Sequence, residues 1–345
     1  MGGKTVLLYL MTTAIAVSVA LTAAVWLEPG SPGQFEATTF APKEAPPLTS
    51  TFINLVPKNP IEAMASGNML QVIVFALLFG IAIAMTGERA KPVSQLFVAV
   101  NEVIMRLVTI LMHLAPIGVF ALIGKLTINT GLDAFANLGR YFALVLILLL
   151  VHGILIYGTM VRMLGGVSPW MFFKKMRPVH LFALSTASSS ATLPVTMEVA
   201  TRRLGIKSTT ASFTLPLGAT INMDGTAIMQ GVATVFIAQI YGADLHMSQY
   251  LMIILTATLA SVGAAGVPGV GLITLAMVLQ QVNLPTEGIG IILGIDRILD
   301  MVRTAVNVTG DAAVTLLVAR SEGDFDEQVF SDPDAGHQFE TLPET

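Results

Sequence analysis

The chain has 345 residues, of which 54% are hydrophobic and only 12% charged, with a formal net charge of −4 and no cysteine. Soluble globular domains carry about a quarter charged residues, so this composition excludes an ordinary soluble fold and indicates a membrane protein. The lack of cysteine excludes disulfides, thiol nucleophiles and thiolate metal sites, and an acidic balance without a long basic run argues against nucleic acid as a partner.

The first predicted element is an apolar stretch over residues 5–27, preceded by Lys4. A stretch of about twenty residues is long enough to cross a ~30 Å hydrocarbon core and longer than the core of a signal peptide. We therefore predict a transmembrane helix within residues 1–27, with a cleaved signal peptide ending near Ala23 as the alternative. Residues 28–60 are rich in Pro, Gly, Ser and Thr, which predicts an exposed loop.

Continuous apolar stretches then follow at 69–86, 93–123, 138–163, 208–241 and 288–319. Two further stretches, 170–200 and 249–282, are interrupted by STASSSATLPVT and SVGAAGVPGVG. Non-helical backbone at membrane depth is tolerated only inside protein or beside a cavity, and paired interruptions point to a transporter binding site. We predict two re-entrant hairpins, with kinked helices packed through small residues as the alternative. The acidic tail, 321–345, is predicted to be disordered.

Lysine and arginine residues are distributed unequally between the two sides of the membrane if the N-terminus is cytoplasmic and both interrupted segments re-enter. Eleven then fall inside, four fall outside and three lie within apolar segments. This bias follows the positive-inside rule. It predicts a multi-pass protein of the cell (inner) membrane with both termini cytoplasmic.

The segment DRILDMVRTAVNVTGD carries charges between two apolar runs. At about 100° per residue, one helical face presents Asp296, Asp300, Arg303, Thr304, Asn307 and Asp311. Such intramembrane charges usually face a cavity and mark a substrate or ion path. Arg303 suits a carboxylate, and Asp300 suits an ammonium group, so the pair would recognise a zwitterion with a second carboxylate. Structural ion pairs, such as Asp300 with Arg303, are the alternative.

A second polar cluster lies in LGATINMDGTAIMQ, within an otherwise apolar segment. Asn222 and Asp224 supply hard oxygen ligands, and the flanking glycines allow the helix to unwind and expose its carbonyls. This pattern predicts a cation site, with a structural polar network as the alternative. The five histidines of the chain show no metal-ligand spacing.

Four motifs, SSSATLPVT, TINMDGTA, GVPGVG and LDMVRTAVNVTGD, together resemble the dicarboxylate/amino acid:cation symporter family. That family includes archaeal aspartate transporters and eukaryotic excitatory amino acid transporters, and the resemblance runs from about Lys4 to Gly323. It implies an all-α, elevator-type glutamate-transporter fold with two re-entrant hairpins, assembled as a homotrimer. Residues 61–135 would form the scaffold (trimerisation) helices, while 1–27 and 136–320 would form the transport domain.

The resemblance also assigns residues to two kinds of site. It implies a substrate pocket formed by Ser188, Ser189, Thr226, Val267, Gly271, Asp300, Arg303, Thr304 and Asn307. One sodium site would use the carbonyls of Gly218, Asn222 and Asn307 with the carboxylate of Asp311. Another would use the carbonyls of Thr220, Ser261, Val262 and Ala264. A third would use Tyr9, Thr12 and Thr13 with Asn222 and Asp224.

The chain departs from the family pattern in three respects. Two helices that precede the first one in family members are missing, which suggests a mis-called start or a truncated chain. Relatives carry an arginine at the position of Ala187 or of Met301, and we hypothesise that Arg297 replaces it in coupling substrate binding to hairpin closure. Gln230 stands where proton-coupled relatives carry glutamate, which favours sodium coupling without an obligatory proton.

These patterns predict a sodium-coupled symporter for L-aspartate or L-glutamate that needs no cofactor beyond the coupling sodium ions and is not an enzyme. The two substrates differ by one methylene, worth only ~1–3 kcal/mol, so the sequence does not rank them. A C4-dicarboxylate symporter is one alternative, although it would have little use for Asp300. A truncated, non-transporting remnant is another. An intramembrane hydrolase built on Ser189 lacks a base beside the serine motif.

Overall fold

The structure, a computed structural model, describes residues 1–30, 56–66, 69–112, 117, 120–121, 124, 133–262 and 266–336. These residues form helices and no β-strand; one isolated antiparallel bridge joins Ile206 to Phe325. The all-α prediction is thus confirmed. In chain order the helices are α1 (Gly2–Leu27), α2 (Pro60–Ser66), α3 (Met69–Thr86), α4 (Lys91–Met112), α5 (Asp133–Leu150), α6 (Tyr157–Met163), α7 (Pro169–Thr186), α8 (Ser189–Arg202), α9 (Ser208–Ile221), α10 (Asp224–Ile240), α11 (Met247–Val262), α12 (Val270–Gln281), α13 (Ile289–Glu322) and α14 (Glu327–Ser331).

Three helical stretches in the described part of the chain are long and apolar enough to cross a membrane. They are Gly2–Leu27, Gln71–Ile104 and Ala136–Met163. The second, formed by α3 and α4, leaves its apolar side chains largely exposed. An exposed apolar helix of this length needs lipid or another protein surface to cover it.

Helix α10 forms the centre of the core and is buried on nearly every side. A helix that is apolar all round belongs inside a protein. Helix α1 packs along it at Gly231, where a Cβ atom would lie 3.3 Å from the carbonyl oxygen of Val17 and 3.2 Å from the Cβ of Ala20. The absence of a side chain there lets the two helices approach closely.

Both interrupted segments form helical hairpins. Helices α7 and α8 pack against each other and are joined at Ala187, which adopts a left-handed conformation with φ of 50°. Ser188 then caps α8, because its hydroxyl accepts a hydrogen bond of 3.1 Å from the amide of Ala191. The second hairpin pairs α11 with α12, and residues 263–265 of its turn lie outside the described residues. Re-entry, in which each hairpin leaves the membrane by the side it entered, stays a prediction.

The acidic tail differs from the prediction of disorder over 321–345. Helix α13 continues to Glu322, and α14 packs its Phe330 into the core. Buried Lys175 donates hydrogen bonds of 2.6 Å to the carbonyl of Arg203 and 2.7 Å to the carbonyl of Val329. The average composition of the tail is polar, so it gave no indication that Phe330 would be buried. Residues 337–345, like 31–55 of the predicted loop, lie outside the described residues.

Asp324 ties the start of the tail to the turn before α9. Its carboxylate accepts hydrogen bonds of 2.9 Å from the ammonium of Lys207 and 2.8 Å from the hydroxyl of Thr210. These two donors lower the pKa of Asp324 below its usual value. The contact is therefore strongest at neutral pH and weakens as the pH falls through that lowered value.

We expect Gly205→Ala to release the tail. Gly205 has φ of +71°, and a Cβ atom there would overlap the carbonyl oxygen of Asp326. Cleavage of the tail by proteinase K should accelerate at least about fivefold, in line with the ~1–3 kcal/mol cost of overpacking. Gly242→Ala is the matched control, because Gly242 has a similar φ of +64° with no atom within 4 Å of its Cβ position. Equal cleavage rates in the two variants would contradict this account.

Candidate functional site

Arg303 lies at the centre of the polar face of α13 and is only 1% exposed. Its Nη1 donates to Asp296 Oδ1 at 2.6 Å, and its Nη2 donates to Asp296 Oδ2 at 3.2 Å and to Asp300 Oδ1 at 2.8 Å. Its Nε has no hydrogen-bond partner among the described residues. The ion-pair alternative considered from the sequence is therefore present, together with the predicted clustering of polar groups.

Asp296 is the partner that sequence reasoning did not assign. It lies seven residues, or about two turns, before Arg303, on the same helical face. It engages the guanidinium through both carboxylate oxygens, which is the geometry by which arginine binds a free carboxylate. Its position on the polar face of α13, together with Asp300 and Arg303, was the only feature of the sequence that pointed to this role.

The second hairpin approaches this cluster through its backbone. The amide of Gly269 donates to Asp300 Oδ2 at 3.0 Å. At Gly271, a Cβ atom would lie 3.2 Å from Nη2 of Arg303 and 3.1 Å from the Met229 side chain, so a larger residue would crowd the guanidinium. Half-buried Val267 lies in the same turn. The structure thus brings the predicted hairpin residues to the predicted arginine.

The tip of the first hairpin contacts the second. Ser188 Oγ donates to the carbonyl of Gly266 at 2.6 Å, and the amide of Ser190 donates to the same carbonyl at 3.1 Å. Ser189 is buried at the first turn of α8. These contacts close the two hairpin tips over each other.

Helices α9 and α10 are separated by an unwound step at Asn222 and Met223. The Nδ2 atom of Asn222 donates to Asp311 Oδ1 at 2.9 Å and to the carbonyl of Asn307 at 3.3 Å. A Cβ atom on Gly218 would lie 2.6 Å from Asp311 Oδ1, so only glycine admits this carboxylate. The first predicted sodium set is therefore assembled around one buried carboxylate.

Asn307 also connects this set to the start of α10. Its Oδ1 accepts a hydrogen bond of 2.8 Å from the amide of Gly225. The neighbouring Thr226 is buried. Thr304, one turn earlier on α13, donates its hydroxyl to the carbonyl of Asp300.

Asp224 is the centre of a third cluster and is fully buried. One carboxylate oxygen accepts from Thr13 Oγ1 at 2.5 Å, while the other accepts from Tyr157 Oη at 2.6 Å and lies 3.0 Å from His152 Nε2. The hydroxyls of Thr12 and Thr13 donate to the carbonyl of Tyr9, and Thr12 also lies 3.4 Å from Asn222 Oδ1. The third predicted sodium set is thus also brought together.

His152 and Tyr157 were missed by the sequence analysis. His152 lies in a π-helical turn, Val151–Ile156, between α5 and α6, and such turns are frequent at functional sites. No local pattern marks either residue, since each is a single polar group in an apolar run.

The remaining sodium set is only partly described. Ser261 Oγ donates to the carbonyl of Ile221 at 3.1 Å and thereby joins the end of α11 to the end of α9. Thr220 is exposed, and its hydroxyl donates to the carbonyl of Leu217 within its own helix. Val262 is half-buried, and Ala264 lies outside the described residues.

Arg297 is not brought to the site. It is exposed on α13 and has no hydrogen bond or ion pair with any residue that the structure describes. Gln230 is buried and donates to Thr274 Oγ1 at 2.7 Å. The coupling role of Arg297 and the ionic consequence of Gln230 stay predictions.

Comparisons with known proteins bear on the whole chain. The model of the sodium:dicarboxylate symporter family matches residues 1–321. The proton/sodium-glutamate symport protein of Bacillus caldotenax is 35% identical over 338 residues, covering 95% of this chain and 80% of that protein. The proton/glutamate-aspartate symporter of Escherichia coli K12 is 34% identical, with 94% and 77% covered. The human excitatory amino acid transporter 2 is 41% identical over 275 residues, with 78% and 48% covered.

Proposed function

The chain belongs to the sodium:dicarboxylate symporter family, and from this premise we propose that it carries L-aspartate or L-glutamate across the cell membrane together with sodium ions. The family consists of membrane transporters, so the hydrolase considered from the sequence is discarded. Relatives named for glutamate or aspartate symport support the substrate class.

The observation that carries the proposal is the guanidinium of Arg303, buried and held by Asp296 and Asp300. A buried guanidinium without a carboxylate is costly, so it exchanges one carboxylate partner for another more readily than it stands alone. The side-chain carboxylate of the substrate takes the place of Asp296 on Arg303. Its ammonium group is received by Asp300. The backbone and hydroxyl groups around it belong to Ser188, Ser189, Thr226, Val267, Gly271, Thr304 and Asn307.

Three oxygen-rich clusters hold the coupling sodium ions. Sodium is a hard cation that prefers carbonyl, hydroxyl and carboxylate oxygen. The first ion takes the Gly218, Asn222, Asn307 and Asp311 set, the second the Thr220, Ser261, Val262 and Ala264 set, and the third the Tyr9, Thr12, Thr13, Asn222 and Asp224 set. No cofactor is required for this chemistry, and Gln230 favours coupling without an obligatory proton.

Both termini lie on the cytoplasmic side of the inner membrane. Lys4 at the start of α1 pairs with Glu322 at the end of α13 at 2.7 Å, which supports placing the two ends on one side. The exposed apolar faces of α3 and α4 fit a scaffold over 61–135 that holds a homotrimer in the bilayer. Residues 1–27 and 136–320 then form the moving transport domain.

A C4-dicarboxylate symporter remains the second candidate, since the family description names dicarboxylates. It is disfavoured by Asp300, whose carboxylate would repel a substrate that lacks an ammonium group.

Uptake into proteoliposomes tests the proposal. Labelled L-aspartate should accumulate only under an inward sodium gradient, and unlabelled L-glutamate should compete better than succinate. Stronger competition by succinate would favour the dicarboxylate symporter. Absence of sodium-dependent uptake of either substrate would overturn the proposal.

Arg297→Ala tests the coupling hypothesis. We expect the half-saturating aspartate concentration and the uptake rate to change together, by several-fold, because the residue would shape closure of the hairpin rather than one contact. The measurement is concentration-dependent uptake beside Arg162→Ala, another exposed arginine. An unchanged half-saturating concentration and uptake rate in Arg297→Ala would contradict the hypothesis.

A further inference from the structure

An apolar groove of about 590 Å³ lies on the outside of the first hairpin, away from the Arg303 cluster. Its floor is formed by α13 and its walls by α5, the following π-helical turn and α7. Along α7 it is lined at positions 170, 173, 177, 180 and 184, whose alternating spacing of three and four places them on one face. The groove therefore follows the axis of α7.

The groove is long enough for an acyl chain. Fourteen residues separate Trp170 from Leu184, which corresponds to roughly 21 Å at 1.5 Å per residue. One leaflet of the hydrocarbon core measures about 15 Å, half of the ~30 Å total. The neighbouring Ile154 and Leu155 are exposed and apolar, as expected for a surface that faces lipid. The groove is thus open on the side of Ile154.

The half of the groove nearer the start of α7 is basic. Arg177 lines both the groove and an adjoining cavity of about 320 Å³ that also contains Lys174, Lys175 and Arg203. Lys175 is occupied by backbone carbonyls, whereas exposed Arg177 and Lys174 have no ion pair or hydrogen bond with any described residue. Pro333, which lies between the exposed Asp332 and Asp334, also lines this cavity. This end is therefore a cationic mouth on an apolar channel.

Trp170 lies at the start of α7, about two turns before Arg177, and is 73% exposed. Tryptophan is enriched at the boundary between headgroups and acyl chains, and lysine and arginine mark the cytoplasmic boundary. The Lys/Arg distribution predicts that this end is cytoplasmic, where the leaflet carries anionic lipid. The position of this mouth and its positive charge are thus both consistent with the headgroup region of the cytoplasmic leaflet.

We infer that this groove binds an anionic phospholipid, with the phosphate group at Arg177 and Lys174 and one acyl chain between α5, α7 and α13. The site lies beyond the proposed transport path and does not depend on it. Because the lipid would contact both the first hairpin and α13, it is placed to stabilise their packing.

Fluorescence quenching tests the inference without measuring transport. The chain contains two tryptophans, so Trp26→Phe leaves Trp170 as the single reporter. In detergent micelles, phosphatidylglycerol with brominated acyl chains should half-quench Trp170 at about one-fifth of the mole fraction needed for brominated phosphatidylcholine, the ratio expected from one cationic contact. Arg177→Gln in the same background should remove most of this preference.

Two matched controls accompany the test. Arg162→Gln, an exposed arginine that lines neither cavity, should retain the preference. Trp170→Phe leaves Trp26, which is 84% exposed on α1 and should be quenched equally by both lipids. Inorganic phosphate at the concentration of the lipid should not reduce quenching of Trp170.

Several results would overturn the inference. Equal quenching of Trp170 by the two lipids would show that the mouth does not select charge. An equal effect of Arg162→Gln would assign the preference to general surface charge. Relief of quenching by inorganic phosphate would make a free anion the ligand, and absence of quenching by either lipid would mean that protein covers the groove.

Discussion

Replacement of Arg303 by lysine is expected to lower the ratio of maximal uptake rate to half-saturating aspartate concentration by about 100-fold. Lysine keeps the charge but cannot form the two parallel hydrogen bonds that the guanidinium makes with a carboxylate. Each hydrogen bond to a charged group is worth ~1.5–3 kcal/mol, so the loss of one or two accounts for this factor. Asp296 and Asp300 would also share a single ammonium group. Sodium-driven uptake into proteoliposomes measures the ratio.

Arg162→Lys is the matched control for this change, because Arg162 is exposed and lies outside the cluster. It should leave the uptake ratio unchanged. Size-exclusion profiles of both variants would test whether Arg303→Lys is folded. A folded Arg303→Lys protein that transports aspartate at the parent rate would remove Arg303 from substrate recognition.

Asp224→Asn should raise the sodium concentration for half-maximal uptake by tenfold or more. The substitution removes a buried negative charge from the third sodium set. It also replaces one of the two carboxylate oxygens, which accept from Thr13 and Tyr157, with an amide nitrogen that can only donate. A tenfold change corresponds to ~1.4 kcal/mol, which lies within the ~1–3 kcal/mol cost of an unsatisfied buried polar group. Uptake measured over a series of sodium concentrations gives the value.

Asp244→Asn serves as the control, since Asp244 lies exposed in the turn between α10 and α11. Its sodium dependence should match that of the parent chain. If Asp224→Asn kept the parent sodium dependence while remaining folded, the Asp224 cluster would be a structural network, which is the alternative that the sequence left open.

The local features of the site were predictable from the sequence because short-range rules govern them. Small residues, serine and proline interrupt the apolar run at Ser188, and glycines flank the unwound step at Asn222. Helical geometry alone places Asp300, Arg303 and Asp311 on one face of α13. Each of these features depends on residues within a few turns.

Contacts between distant segments were not predictable in the same way. The approach of His152 to Asp224 depends on how the π-helical turn packs against α10, and the sequence around His152 does not indicate that packing. The prediction of a disordered tail was wrong for a different reason. Its average composition is polar, yet the single side chain of Phe330 is enough to dock α14.

The buried charges also set a limit on what the site can hold. Within the site, the described residues include four buried carboxylates and one buried guanidinium, a formal charge of −3; they belong to Asp224, Asp296, Asp300, Asp311 and Arg303. An acidic amino acid brings a further net −1, and each uncompensated buried charge costs several kcal/mol. The three sodium ions of the proposed function return the total to −1. On this count the site with substrate but no sodium carries −4, the highest charge of any loading state, so substrate alone is least able to cross a low-dielectric barrier and its movement would require sodium.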